Sequence, residues 1–106
     1  MAFGKHPVVV HTQDYGQLEC KCGGGGNLHQ GNVTIFERTE DANKIAVIAQ
    51  DGPTAQVSEF PAQDTCNPSP RRHGMLIEFH CEQCPDEQFR LAIFQHKGAT
   101  YMEWVE

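Results

Sequence analysis

Alternation of apolar and polar positions is sharpest in the last third of the chain. From Gly74, the residues Met75, Ile77, Phe79 and Cys81 fall on one face of a strand by the period of two, while Glu78 and His80 fall on the other. Residues 89–95 read as a second strand, with Leu91 and Ile93 on one face and Ala92 and Phe94 on the other. His96-Lys97-Gly98-Ala99 reads as a turn, and residues 100–105 return antiparallel, which predicts a three-stranded meander. Upstream, residues 32–38 and 44–50 are short, rich in β-branched side chains and joined by a polar run at 39–43, the pattern of a hairpin. Residues 7–11 read as one more strand. Between Gln50 and Gly74 stand Pro53, Pro61, Pro68 and Pro70 among scattered Gly, Asp and Ser, so a long Pro-rich loop is expected there, interrupted at most by a short edge strand at 56–60. No helical period, repeat or heptad is present, and the fold class is all-β.

Composition narrows the function. With 106 residues and 39% hydrophobic content the chain is read as a single domain, 1–106, whose modest core needs a staple. A formal charge of -6 opposes attraction to a phosphate backbone and excludes a general nucleic-acid coat protein. No apolar run approaches the roughly 18 residues of a membrane span, and the start carries only Val8, Val9 and Val10 as an apolar stretch, so no membrane partner and a cytoplasmic location are expected.

The staple is legible in the cysteines. Five are present, an odd number, and four form two tight pairs, Cys20-Lys21-Cys22 and Cys81-Glu82-Gln83-Cys84, with 58 residues between them. A Cys-x-x-Cys turn aims two thiolates at one point while its N–H groups point at the sulfurs, and two such turns complete the tetrahedron that Zn²⁺ prefers. The expected metal ligands are Cys20, Cys22, Cys81 and Cys84, and the expected cofactor is structural Zn²⁺. Cys-x-Cys is tighter than the usual spacing, so His29 is an alternative to Cys20 in the first half of the site. A redox pair and buried unliganded thiols are the competing readings. Cys66, in the loop-forming run Asp64-Thr65-Cys66-Asn67-Pro68, is expected to be a free surface thiol. Gly23–Gly26 reads as a loop beside the metal; no Lys-Ser/Thr and no helix follow it, which argues against a phosphate-binding loop.

Several strings together resemble a family. These are Cys22-Gly23-Gly24 with Leu28-His29-Gln30, the runs 33–41 and 67–74, Ile77-Glu78-Phe79-His80-Cys81-Glu82-Gln83-Cys84, and Gln95-His96-Lys97-Gly98-Ala99-Thr100-Tyr101. They are similar to a set of small bacterial and phage zinc-ribbon-like proteins, over most of residues 20–104. The resemblance implies a small zinc-ribbon-like domain, metal binding and a phage or mobile-element association. Its first knuckle is typically Cys-x-x-Cys-Gly-Gly, from which Cys20-Lys21-Cys22 departs.

Arg71 and Arg72 sit in a Pro-bounded loop of an acidic chain and, with Lys97 from the turn, are the candidate partner-binding residues through bidentate arginine contacts; solvation or pairing with nearby acids is the plain alternative. His80 projects away from Cys81 and so does not complete the same tetrahedron. The leading function is a noncatalytic zinc-stabilised binding module acting on a protein partner, as an inhibitor or adaptor. The alternatives are a nucleic-acid-binding zinc ribbon using Arg71, Arg72, Lys97 and an aromatic such as Tyr101 or Trp104, and an enzyme using His96.

Overall fold

The computed structural model describes residues 8–11, 16–22 and 27–105. The expected Gly23–Gly26 loop, and the start of the strand expected at 7–11, lie outside them. Eight strands follow in order: β1 Val10–His11, β2 Gln17–Leu18, β3 Leu28–Glu37, β4 Lys44–Asp51, β5 Thr54–Pro61, β6 Gly74–Cys81, β7 Phe89–His96 and β8 Ala99–Val105. A 3-10 turn at Ala62–Asp64 is the single helical element among the described residues, so the all-β reading holds. The strands β3 to β8 form one antiparallel sheet in the order β5-β4-β3-β6-β7-β8, and β1 and β2 pair separately as a ribbon.

The hairpin β3–β4 and the meander β6–β7–β8 lie where the alternation placed them. The region 50–74 differs from its expectation. β5 is an eight-residue strand in continuous register with β4, from Asp51↔Thr54 to Lys44↔Pro61, and only residues 62–73 remain as a connection. The prolines are compatible because Pro53 lies in the hairpin turn, Pro61 is the last strand residue, and β5 is an edge. Gly52 turns that hairpin with φ 59, and Lys97 and Gly98 turn β7–β8 with φ 49 and 79, the left-handed pair of a two-residue hairpin loop.

Both faces of the sheet are covered, each over a different part. On one face Phe36, Ile45, Val47, Leu76, Ala92 and Phe94 form a buried cluster. Register explains it, since Phe36↔Val47, Phe36↔Gly74, Leu76↔Ala92 and Gly74↔Phe94 are directly opposed pairs. Residues 62–73 close this face. Ser69 is buried and its Oγ donates to the Gln95 carbonyl at 2.6 Å, while Gly74 leaves room for the loop, because a Cβ there would lie 2.8 Å from Pro68 Cδ and collide with Asn67. On the other face Cys20, Cys81, Phe89, Leu91 and Trp104 form a second cluster, capped by Val8 and Leu18 of the N-terminal ribbon. Trp104 stacks edge-on against Phe79 and Phe89, with ring centroids 5.6 and 5.2 Å away. The cysteine pairs meet in this second cluster.

Candidate metal centre

β6 ends on Cys81, whose side chain falls on the second-cluster face, and the chain turns at once: Cys84 N–H donates to the Cys81 carbonyl at 3.3 Å and Glu87 N–H to the Cys84 carbonyl at 3.1 Å. The Gln83 N–H lies 3.4 Å from Cys81 Sγ, the N–H···S contact expected of a knuckle. The first pair follows β2 directly, and there the Cys22 N–H lies 3.5 Å from Cys20 Sγ. Cys20 Sγ is 3.6 Å from Cys84 Sγ, and Cys22 Sγ is 4.0 Å from Cys81 Sγ. All four sulfurs lie within 4.8 Å of one another, so the four cysteines form a group that can hold a metal ion. The one-residue spacing of Cys20 and Cys22 does not prevent both from joining.

His29 does not belong to this group. Leu28 is opposite Cys81 and His29 opposite His80 in the β3–β6 register, so the two histidines share the face away from Cys81. Cys66 is exposed and outside the cluster.

The sulfurs influence each other's protons. Burial opposes ionisation of Cys81, but hydrogen bonds from the Cys20 thiol and the Gln83 N–H outweigh it and bring its pKa down to about 7. Burial pushes the Cys20 thiol well up, and burial together with the Cys81 sulfur raises Cys84 to about 11. One negative charge therefore settles on Cys81 readily, and a cation is what allows its neighbours to ionise as well. Lys21, between the first two cysteines, supports the arrangement: its Nζ lies 3.3 Å from Glu87 Oε2 and 5.6 Å from the centre of the Phe89 ring, tying the first pair to the segment after the second.

The candidate partner-binding residues lie elsewhere. Arg71 grips Asp41 with both arms of its guanidinium, Nε to Oδ1 at 2.9 Å and Nη2 to Oδ2, and reaches Glu40 at 4.0 Å. The Asp41 N–H donates to the Arg71 carbonyl at 3.0 Å, so the 62–73 connection is buckled to the β3–β4 turn. Arg38 adds two fastenings: its N–H donates to His73 Nδ1 at 3.0 Å and its Nη1 to the Pro70 carbonyl at 3.2 Å. Arg72 is exposed, and Lys97 is exposed at the tip of the β7–β8 turn. His96 lies against Tyr101, with ring centroids 6.3 Å apart, at the end of β7 remote from the cysteines, roughly 23 Å along the strand. Sequence reading missed the aromatic wall of Phe79, Phe89 and Trp104 around the thiols and the cross-strand His29–His80 pair. Both depend on register between segments distant in sequence.

No family model, curated protein or solved structure matches the chain. The zinc-ribbon-like resemblance thus rests on its strings alone. Among the described residues no helix is long and apolar enough to cross a membrane.

Proposed function

We propose that the protein is a noncatalytic binding module, stabilised by a structural zinc ion, that docks on a basic protein partner. Zinc suits the sulfur set: four thiolates at about 2.3 Å from Zn²⁺ lie about 3.8 Å from one another, and two of the pairs here are 3.6 and 4.0 Å apart, with all four sulfurs within 4.8 Å. A four-thiolate set leaves no position for a reactive water, which disfavours a hydrolytic role. With four protons lost and one Zn²⁺ bound, the formal charge moves from -6 to -8.

The observation that carries the docking reading is a row of apolar side chains crossing the whole sheet on the thiol face. Val57, Ile48, Ile35, Met75, Ile93 and Met102 are successive opposed pairs from edge to edge, about 24 Å in all. Val57 is 73% and Met102 44% exposed, and the four between are half-buried. A partly exposed apolar row of this length supports a protein contact. Glu37 flanks it on the same face, opposite Ala46, and with the acidic chain it favours a partner whose apolar patch is edged by Lys and Arg, whereas Glu59 is paired with Lys44 at 3.5 Å. Arg72 and Lys97 would serve at most as rim contacts, and Arg71 is occupied by Asp41. The same occupation leaves little positive surface for a nucleic acid.

Two measurements test the proposal. Elemental analysis of reduced, folded protein should give one zinc per chain, and a value near zero removes the zinc. A partner captured from the native host, with zinc kept in the buffer, should lose at least about tenfold in affinity to the Val57→Asp, Met102→Asp double variant, since a buried charge without a partner is costly at an interface. Unchanged affinity in a variant of normal zinc content removes the docking face.

A further inference from the structure

We propose that the protein carries a second metal site, on the sheet face opposite the thiol cluster, in which His29 and His80 bind a borderline divalent transition ion of the Zn²⁺, Ni²⁺ or Cu²⁺ class. His29 and His80 are directly opposed across β3 and β6, which brings their Cβ atoms to about 4.5–5.5 Å. Two imidazoles at that separation on one strand face can converge on one ion. The pair belongs to a separate centre because His80 and Cys81, and likewise Leu28 and His29, alternate across the sheet.

Three further features build the site. Glu82 Oε2 lies 3.2 Å from His29 Nε2, so this carboxylate accepts the Nε2–H and leaves Nδ1 as the coordinating nitrogen. Histidines that bind metals are commonly oriented by a carboxylate in this manner. Next, the β3–β6 register shifts between Gln30 and Val33, and Gly31 at that irregularity lets Glu78 come close: a Cβ on Gly31 would lie 3.2 Å from Glu78 Cβ and 3.4 Å from Glu78 Oε1. Glu78 is two residues from His80 on the same strand face, where it stands opposite Arg90 of β7. Finally, His29, His80 and Glu78 line one cavity of about 630 Å³ together with Pro85, Glu87 and Gln88 of the segment after the knuckle and Arg90 of β7. A pair of imidazole nitrogens selects Zn²⁺, Ni²⁺ or Cu²⁺ over Mg²⁺ or Ca²⁺, and the cavity leaves positions for water or for a donor atom of an incoming ligand. The thiol cluster, in contrast, is a closed set.

The test uses the full chain with its thiol cluster already loaded with one equivalent of Zn²⁺. A second equivalent of Zn²⁺ is titrated calorimetrically, while ¹⁵N–¹H spectra follow the ring nitrogens of each histidine. A second equivalent should bind and shift the ring nitrogens of His29 and His80. His29→Gln and His80→Gln should each weaken that step by at least about tenfold, and Glu82→Gln by about tenfold, while His96→Gln leaves it unchanged. Because both histidines are exposed, these variants should fold normally, and an unchanged thermal midpoint verifies it. The proposal is overturned if no second equivalent binds, if His29→Gln and His80→Gln bind it as the parent does, or if the shifted rings belong to other histidines.

Discussion

Replacing Cys84 by Ser should remove the metal and detach the N-terminal ribbon while leaving the large sheet in place. The reason is that the molecule has two buried clusters and the thiols belong to only one. Cys84 is half-buried, so serine there creates little cavity, and the direct effect is the loss of one of four ligands. Structural zinc sites contribute apparent binding free energies of about 10–16 kcal/mol, so an impaired site loses most of the force that holds residues 8–11 and 16–22 against β6–β8. What the ribbon itself buries is modest. Val8, Leu18 and Cys20 cover the cluster containing Phe89, Leu91 and Trp104, and at about 1.5–3 kcal/mol for each fully buried apolar side chain, less for the half-buried Val8 and Leu18, their detachment costs roughly 3–6 kcal/mol. The separate cluster of Phe36, Ile45, Val47, Leu76, Ala92 and Phe94 ties β3, β4, β6 and β7 together, and the backbone ladders hold β5 and β8 to them. Trp104, 1% exposed and the only tryptophan of the chain, provides the assay. The variant should contain no metal, its Trp104 emission should shift to the red, and its strand signal in far-ultraviolet circular dichroism should largely persist at low temperature. A metal-free variant with unchanged Trp104 emission and an unchanged thermal midpoint would refute the reasoning, and complete loss of the strand signal would show that the second cluster cannot sustain the sheet alone.

Cys66→Ser should leave metal content unaltered and stability within about 0.5 kcal/mol, as measured by elemental analysis and urea unfolding, because the thiol is exposed and outside the cluster. Gly74→Ala should destabilise by about 1–3 kcal/mol in the same unfolding assay, since its Cβ would meet Pro68 Cδ and Cγ at 2.8 and 2.9 Å and push residues 67–69 off the sheet. The hydrogen bonds from Arg71 hold the Asp41 carboxyl below the usual carboxylate range, so the pair contributes stability above the ordinary aspartate pKa and loses it as pH falls through the depressed value. Asp41→Asn should therefore flatten that acidic portion of the stability profile and raise hydrogen-exchange rates at residue 41, whose N–H donates to the Arg71 carbonyl; a profile matching the parent's would show that the pair is without effect.

The elements whose information is local are legible along the chain. Alternation of apolar side chains marked β6, β7 and β8, β-branched runs marked the β3–β4 hairpin, and cysteine spacing marked the four-thiol cluster, because period two and knuckle chemistry are properties of a few consecutive residues. β5 was barely legible for the same reason. All eight of its residues are exposed, so it has no apolar rhythm, and its strand state comes from a complete ladder with β4. Tertiary structure alone decided the pairing of β3 with β6. That pairing set His29 against His80 on one face and Cys81 on the other, which removed His29 from the thiol centre. It also aligned Ile35 with Met75 and so joined two short apolar segments into a row across six strands. Arg71 shows the same division: a pair of arginines in an acidic chain reads as a binding spot, but folding brings Asp41, thirty residues away, into its grip. A one-residue shift in register would exchange every one of these faces, and register between distant strands is set by the packing of both sheet faces at once, which no single stretch of the chain contains.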